Sequence, residues 1–159
     1  MSQSLRLLTI VMLSGGGLFT GALAWTSWER VWIWRRLTLR DYAVDFRRSV
    51  RKADPAMPIL LVICGVAAGA FAARTHGPAR VLAFVGAGLL ASILVSSIIL
   101  AEPVNSQFRR HPEGTVPPDA ERLRRRWRHF HLARTALAVA ALACLVTAAT
   151  YAAAPLADV

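Results

Sequence analysis

Trp127, His131 and Arg134 are spaced i, i+4 and i+7, so on a helix they share one face. Upstream, the string Ala101-Glu102-Pro103-Val104-Asn105 places a carboxylate and a carboxamide side by side. Arg134 falls about one helical turn inside an uncharged stretch, and an ionisable residue in such a place usually faces a bundle interior. Glu102 is its natural counter-charge. A structural ion pair, or an arginine reaching out to the headgroups, is the plainer reading of the same two residues. His131 can exchange a proton near neutral pH. Taken as a set, these groups are candidates for acid–base chemistry.

The elements that must position them are apolar helices. Leu7 to Trp28, Ala56 to Ala73, Val81 to Ala101 and Ala136 to Ala157 contain no Asp, Glu, Lys or Arg, and a membrane span needs about 20 such residues. The expected fold is all-α, a four-helix bundle of antiparallel transmembrane helices with cytoplasmic amphipathic extensions. It forms a single membrane domain over residues 1–159, with spans at about 5–25, 56–73, 80–101 and 131–153 and cytoplasmic loops at 26–55 and 102–130. Gly17 and Gly21 form a G-x-x-x-G, as do Gly65 and Gly69, a spacing that lets helices approach closely. The first span resembles a signal peptide ending in Ala22-Leu23-Ala24, but the basic segment that follows would resist translocation, so an uncleaved span is expected.

Charge sets the orientation. The net charge is +10, with eight basic residues from Arg30 to Lys52 and seven from Arg109 to Arg128, against two in the turn between spans two and three. Arginines flanking spans mark the cytoplasmic side, so the chain is expected in the cell membrane with both termini outside. The same placement argues against nucleic acid as a partner, and no nucleic-acid-binding signature occurs. Lys52 is the one lysine and alanine is abundant, as in proteins of GC-rich bacterial genomes.

The loops have features of their own. Trp25, Trp28 and Trp32 are placed to sit at a membrane boundary. Trp28, Trp32, Leu39, Tyr42, Phe46 and Val50 fall near one face at helical spacing. They belong either to an amphipathic helix on the membrane surface or to a cap on the bundle core. Asp54-Pro55 and Asp119 are placed to start helices, while Pro103 should stop or kink one. Cys64 and Cys144 lie mid-span with no C-x-x-C, which leaves them as small core residues. His129 and His131 diverge on a helix and make a poor metal pair by themselves; His111 could join one of them but nothing requires it, so no metal is expected, and His76 reads as solvated. Ser14, Ser92, Ser96 and Ser97 should bond within the helices.

Asn105 at the end of span three, then Trp127, Phe130, His131 and Arg134-Thr135 opening span four, resemble the anthrone oxygenase-like membrane family, also known as domain of unknown function 1772. The small-residue first span with Gly17 and Gly21 fits the same layout. His131 stands where the family pattern often has Asn, and the arginine-rich segment Leu39 to Met57 departs from its short members. The resemblance implies a cofactor-independent oxygenase that converts an activated methylene of a lipophilic aromatic or polyketide-like substrate to a carbonyl. It would place His131 or Glu102 as base, Arg134 and Asn105 on the anion, and Trp127 and Phe130 against the ring. The rival class is a non-enzymatic accessory or scaffold subunit, packing as a homo-oligomer or against another membrane protein; the spans hold too few polar groups for a transport pathway.

Overall fold

A computed structural model describes residues 2–53, 56–112 and 114–154. Asp54 and Pro55, expected to begin the second span, lie outside the described residues. Among those described, the regular elements are all helical. Helix α1 runs from Gln3 to Arg36, α2 from Leu39 to Ala53, α3 from Ala56 to Ala73, α4 from Gly77 to Arg110 and α5 from Ala120 to Ala153. All but α2 are long and apolar enough to cross a membrane.

The four long helices form a closed ring in which α1 packs on α3 and α5, and α4 packs on the same two. The core between them is small-residue and apolar, built on Met12, Phe19, Cys64, Phe71, Ala83, Ile93, Ala141 and Leu145. Among the glycines the tightest contact is at Gly86, where a Cβ would stand 2.7 Å from Leu145 Cδ2. Gly16 faces Cys64 Sγ in the same way, at 3.2 Å. The G-x-x-x-G glycines expected to serve packing do not do so within the chain. A Cβ on Gly17, Gly21, Gly65 or Gly69 would meet nothing within 4 Å. G-x-x-x-G spacing is cheap in an apolar helix, and only the face turned to a neighbour gains from it.

Three of the long helices continue past the apolar stretches, and α1 and α4 do so through a π-turn. In α1 the turn spans Thr26–Arg30, and in α4 it spans Ser97–Ala101. Pro103 was expected to stop or kink its helix, yet α4 runs on to Arg110. The reason lies in the turn just before it. Proline lacks the N–H that would reach back four residues, and here the Glu102 N–H reaches five back to the Ser97 carbonyl instead. The wider turn accommodates the missing donor, and the helix continues.

Helix α2 is capped by Thr38, whose Oγ1 accepts from Asp41 N at 3.2 Å while its hydroxyl donates to the Asp41 carboxylate. It folds beneath the bundle and buries Tyr42, Phe46 and Val50 against Trp34, Val104, Phe108 and Trp127. These rings meet mostly edge to face, as in Trp34–Trp127 with centroids 5.2 Å apart. The open choice between surface helix and core cap therefore divides within one sequence pattern. Tyr42 and Phe46 are fully buried, whereas Trp28 is 79% and Trp32 56% exposed.

Two arginines that a charge count treats as topology signals are structural clamps. Buried Arg47 donates to the carbonyls of His111, Pro112 and Thr115, tying α2 to the loop after α4. Arg124 donates to the Trp34 and Leu37 carbonyls, placing its charge at the C-terminal end of α1. Asp119 does not cap α5 with its side chain; its carboxylate accepts from Arg122 instead.

Candidate functional site

Where α1 and α4 pass through their π-turns, the bundle opens into a cavity of about 700 Å³. Its walls come from the C-terminal parts of α1 and α4, the N-terminal parts of α3 and α5, and the end of α2. The alternation of helix ends around one cavity means that neighbours in the ring run antiparallel. Phe19, Leu23, Leu61 and Leu94 make one end apolar, and Trp34 and Trp127 close the other. Between them stand Glu29, Arg30, Glu102, Asn105, Arg109, His131 and Arg134.

Glu102, Asn105, Trp127, His131 and Arg134 thus line one cavity, as the helix-face spacing suggests. Phe130 is not among the lining residues. It lies beneath Arg134, whose guanidinium carbon is 5.5 Å from the centroid of its ring.

His131 is 1% exposed and fully engaged. Its ring stacks on Trp127 with centroids 4.6 Å apart and planes 7° from parallel. Nε2 lies 3.3 Å from the Leu23 carbonyl of α1, and Nδ1 lies 2.9 Å from Arg134 Nη2. A carbonyl can only accept and a guanidinium can only donate. The ring must therefore carry its proton on Nε2, donate it to Leu23, and accept from Arg134 at Nδ1. This is a neutral imidazole with both nitrogens committed. Arg134 is in turn held by the His131 bond and the Phe130 ring. One helical turn further on, Thr135 Oγ1 and Ser27 Oγ lie 2.9 Å apart, locking the same stretch of α5 to α1.

Glu102 bonds to Arg109, two turns along its own helix. The wall of α1 carries a second acid–base pair, Glu29 with Arg30 at 3.3 Å, and Arg30 also reaches Asp45 of α2 at 3.0 Å. Asp45 accepts from Trp34 Nε1 at 2.7 Å, which fixes the tryptophan at the base of the cavity. Arg109, Glu29, Arg30 and Trp34 were not singled out as site residues in the sequence, where the two arginines served only the charge count. Helical phase from Asn105 to Arg109 (i, i+4) was an available signal for Arg109. No phase argument reaches Glu29 across a π-turn.

The histidines outside the cavity have separate surroundings. His111 Nδ1 donates to the Gln107 carbonyl at 2.8 Å, and His129 is exposed. Cys64 donates to the Met12 carbonyl at 3.2 Å in the core, and Cys144 is half-buried; both are free thiols. Ser92 and Ser96 bond to carbonyls of their own helix, while Ser97 lines the cavity.

No curated protein and no solved structure matches the chain. The anthrone oxygenase family matches residues 46–144, well over half of its length, from α2 through most of α5. The match takes in the Asn105 to Arg134 segment that carries the resemblance seen in the sequence, and the chain belongs to the anthrone oxygenase family.

Proposed function

We propose that the protein is a cofactor-independent oxygenase of lipophilic aromatic substrates, with the cavity at the π-turns as its active site. The observation that carries this reading is Arg134, a guanidinium held at the cavity wall by His131 and Phe130. A bundle that needed only packing would be better served there by Leu or Met. A fixed cation is what an acidic carbon needs, because it stabilises the anion left when the proton departs.

The hydrogen bonds support a division of roles. His131 has no lone pair to spare, so it positions Arg134 rather than taking the substrate proton. Glu102 is the base, with its carboxylate at the cavity wall and Arg109 beside it. Asn105 and Arg134 hold the substrate oxygen as charge develops. Trp127 is already stacked on His131, so it serves as a rigid end wall. In balance, a methylene and one O₂ become a carbonyl and one water. One methylene proton passes to Glu102, the carbanion reduces O₂ and bonds to it, and Glu102 returns the proton to the peroxide; loss of the second C–H proton then breaks the O–O bond, so that the carbonyl forms and water leaves.

The test is oxygen uptake by the purified protein with anthrone, measured above the uncatalysed autoxidation. Uptake and anthraquinone should appear in equal amounts. Arg134→Met should slow the reaction by about 10- to 100-fold, the worth of one hydrogen bond from a charged group. Glu102→Gln should also lose activity. Wild-type uptake no faster than the blank, or full activity in a folded Arg134→Met protein, would refute the reading.

A further inference from the structure

We propose that the cavity opens sideways into the bilayer, through a mouth framed by Trp25, Pro58 and Ile98, and that it admits a flat aromatic acid dissolved in the lipid. This rests on the aromatic-anion reading of the cavity given above. Most residues lining the cavity are buried or half-buried. The exposed ones are Trp25, Pro58, Ile98 and Glu102, with Trp25 at 63% and Ile98 at 61%. A side chain that both lines a cavity and faces outward marks its opening.

Trp25 comes from α1, Pro58 from the start of α3 and Ile98 from α4, and these are consecutive helices around the ring. Helix α3 begins at Ala56, while α1 and α4 run on to Arg36 and Arg110. The ring is thus lowest at the start of α3, and the two π-turns border the gap from either side.

The frame lies within the uncharged stretches of the sequence, so this opening meets acyl chains rather than water. An indole at its edge suits the level where hydrocarbon gives way to headgroups. Glu102, joined to Arg109, forms the polar margin of the same mouth. An apolar entrance leading to a fixed arginine selects for a molecule that dissolves in lipid yet carries, or can develop, one negative charge.

Two measurements on vesicle-reconstituted protein test this. The first needs no ligand. A nitroxide attached at Ile98→Cys, in a Cys64→Ala, Cys144→Ala background, should collide more with dissolved oxygen than with an aqueous nickel chelate. The reverse order would overturn the proposal. The second follows anthracene-9-carboxylate by energy transfer from the protein's tryptophans. Ile98→Trp, which narrows the mouth, should slow association by about tenfold or more while changing the equilibrium affinity little. Ile99→Trp, its neighbour, exposed but off the cavity, should leave the rate unchanged. Equal rates in the two variants would overturn entry by this route. If the label faces lipid and the wild-type protein binds no anthracene-9-carboxylate, the opening stands and the aromatic-anion reading falls.

Discussion

Arg47, Arg124 and Arg134 cannot be told apart by a charge count, yet each does something different. Arg47 holds a loop, Arg124 closes a helix end, and Arg134 stands over the cavity. Only the last was legible in the sequence, because only it interrupts an apolar stretch. The other two lie among surface arginines, and their carbonyl partners are up to 90 residues away. Tyr42 shows the same limit from the other side. Its aromatic spacing was readable, but not that its hydroxyl would be fully buried with no hydrogen-bond partner among the described residues. Burial pushes the phenol well above the ordinary tyrosine range, and nearby Arg124 offsets this only in part. Tyr42→Phe should therefore leave the protein as stable as before, or more stable by about 1 kcal/mol, since it removes an unsatisfied polar group. The pH dependence separates the two proteins. Above about pH 10 an unfolded tyrosine gives up its proton while folded Tyr42 keeps it, so the wild type loses stability as pH rises. The phenylalanine variant should lack that component, as thermal denaturation at pH 8 and pH 11 would show.

At the scale of elements, hydropathy located the four long apolar helices, and amphipathic extensions were expected beyond them. What it could not give was how far α1 and α4 run on, because a transfer scale sees only the part that lies in lipid. Pro103 misled for a local reason: the π-turn before it had no sequence signal apart from the proline itself. The glycines misled for a tertiary one, since spacing says which residues are small and not which face meets a neighbour. This yields a direct comparison. Gly86→Ala puts a methyl group 2.7 Å from Leu145 and should cost about 1–3 kcal/mol through overpacking. Gly21→Ala, with open space around it, should be neutral or stabilising by up to about 1 kcal/mol from helix propensity. Melting of the two variants in one detergent decides the matter. Equal losses would mean that the Gly86 contact is relaxed at no cost.

For the molecule as a whole, the sequence reaches the bundle and the convergence of Asn105, His131 and Arg134 at one end, but not the other walls of the cavity, which require five helices to be placed at once. It does commit to an orientation. Both arginine-rich segments meet at one end of the bundle, joined through the Arg47 and Arg124 clamps, and that end should be cytoplasmic with both termini outside. A reporter fused after Val159 should be inactive if it works only in the cytoplasm; activity there would invert the orientation. One further consequence concerns counting. Each π-turn acts as a single residue inserted into an α-helix, and each residue turns the helix by about 100°. Delete one residue between Ser97 and Ala101, and the helix can return to a plain α repeat. Everything downstream then swings round by that angle, carrying Asn105 and Arg109 off the cavity wall. The hydropathy profile and the number of spans would scarcely change. Two chains of nearly the same composition can thus share this bundle while only one of them has a site, because the site depends on the phase of the helices as much as on the residues they carry.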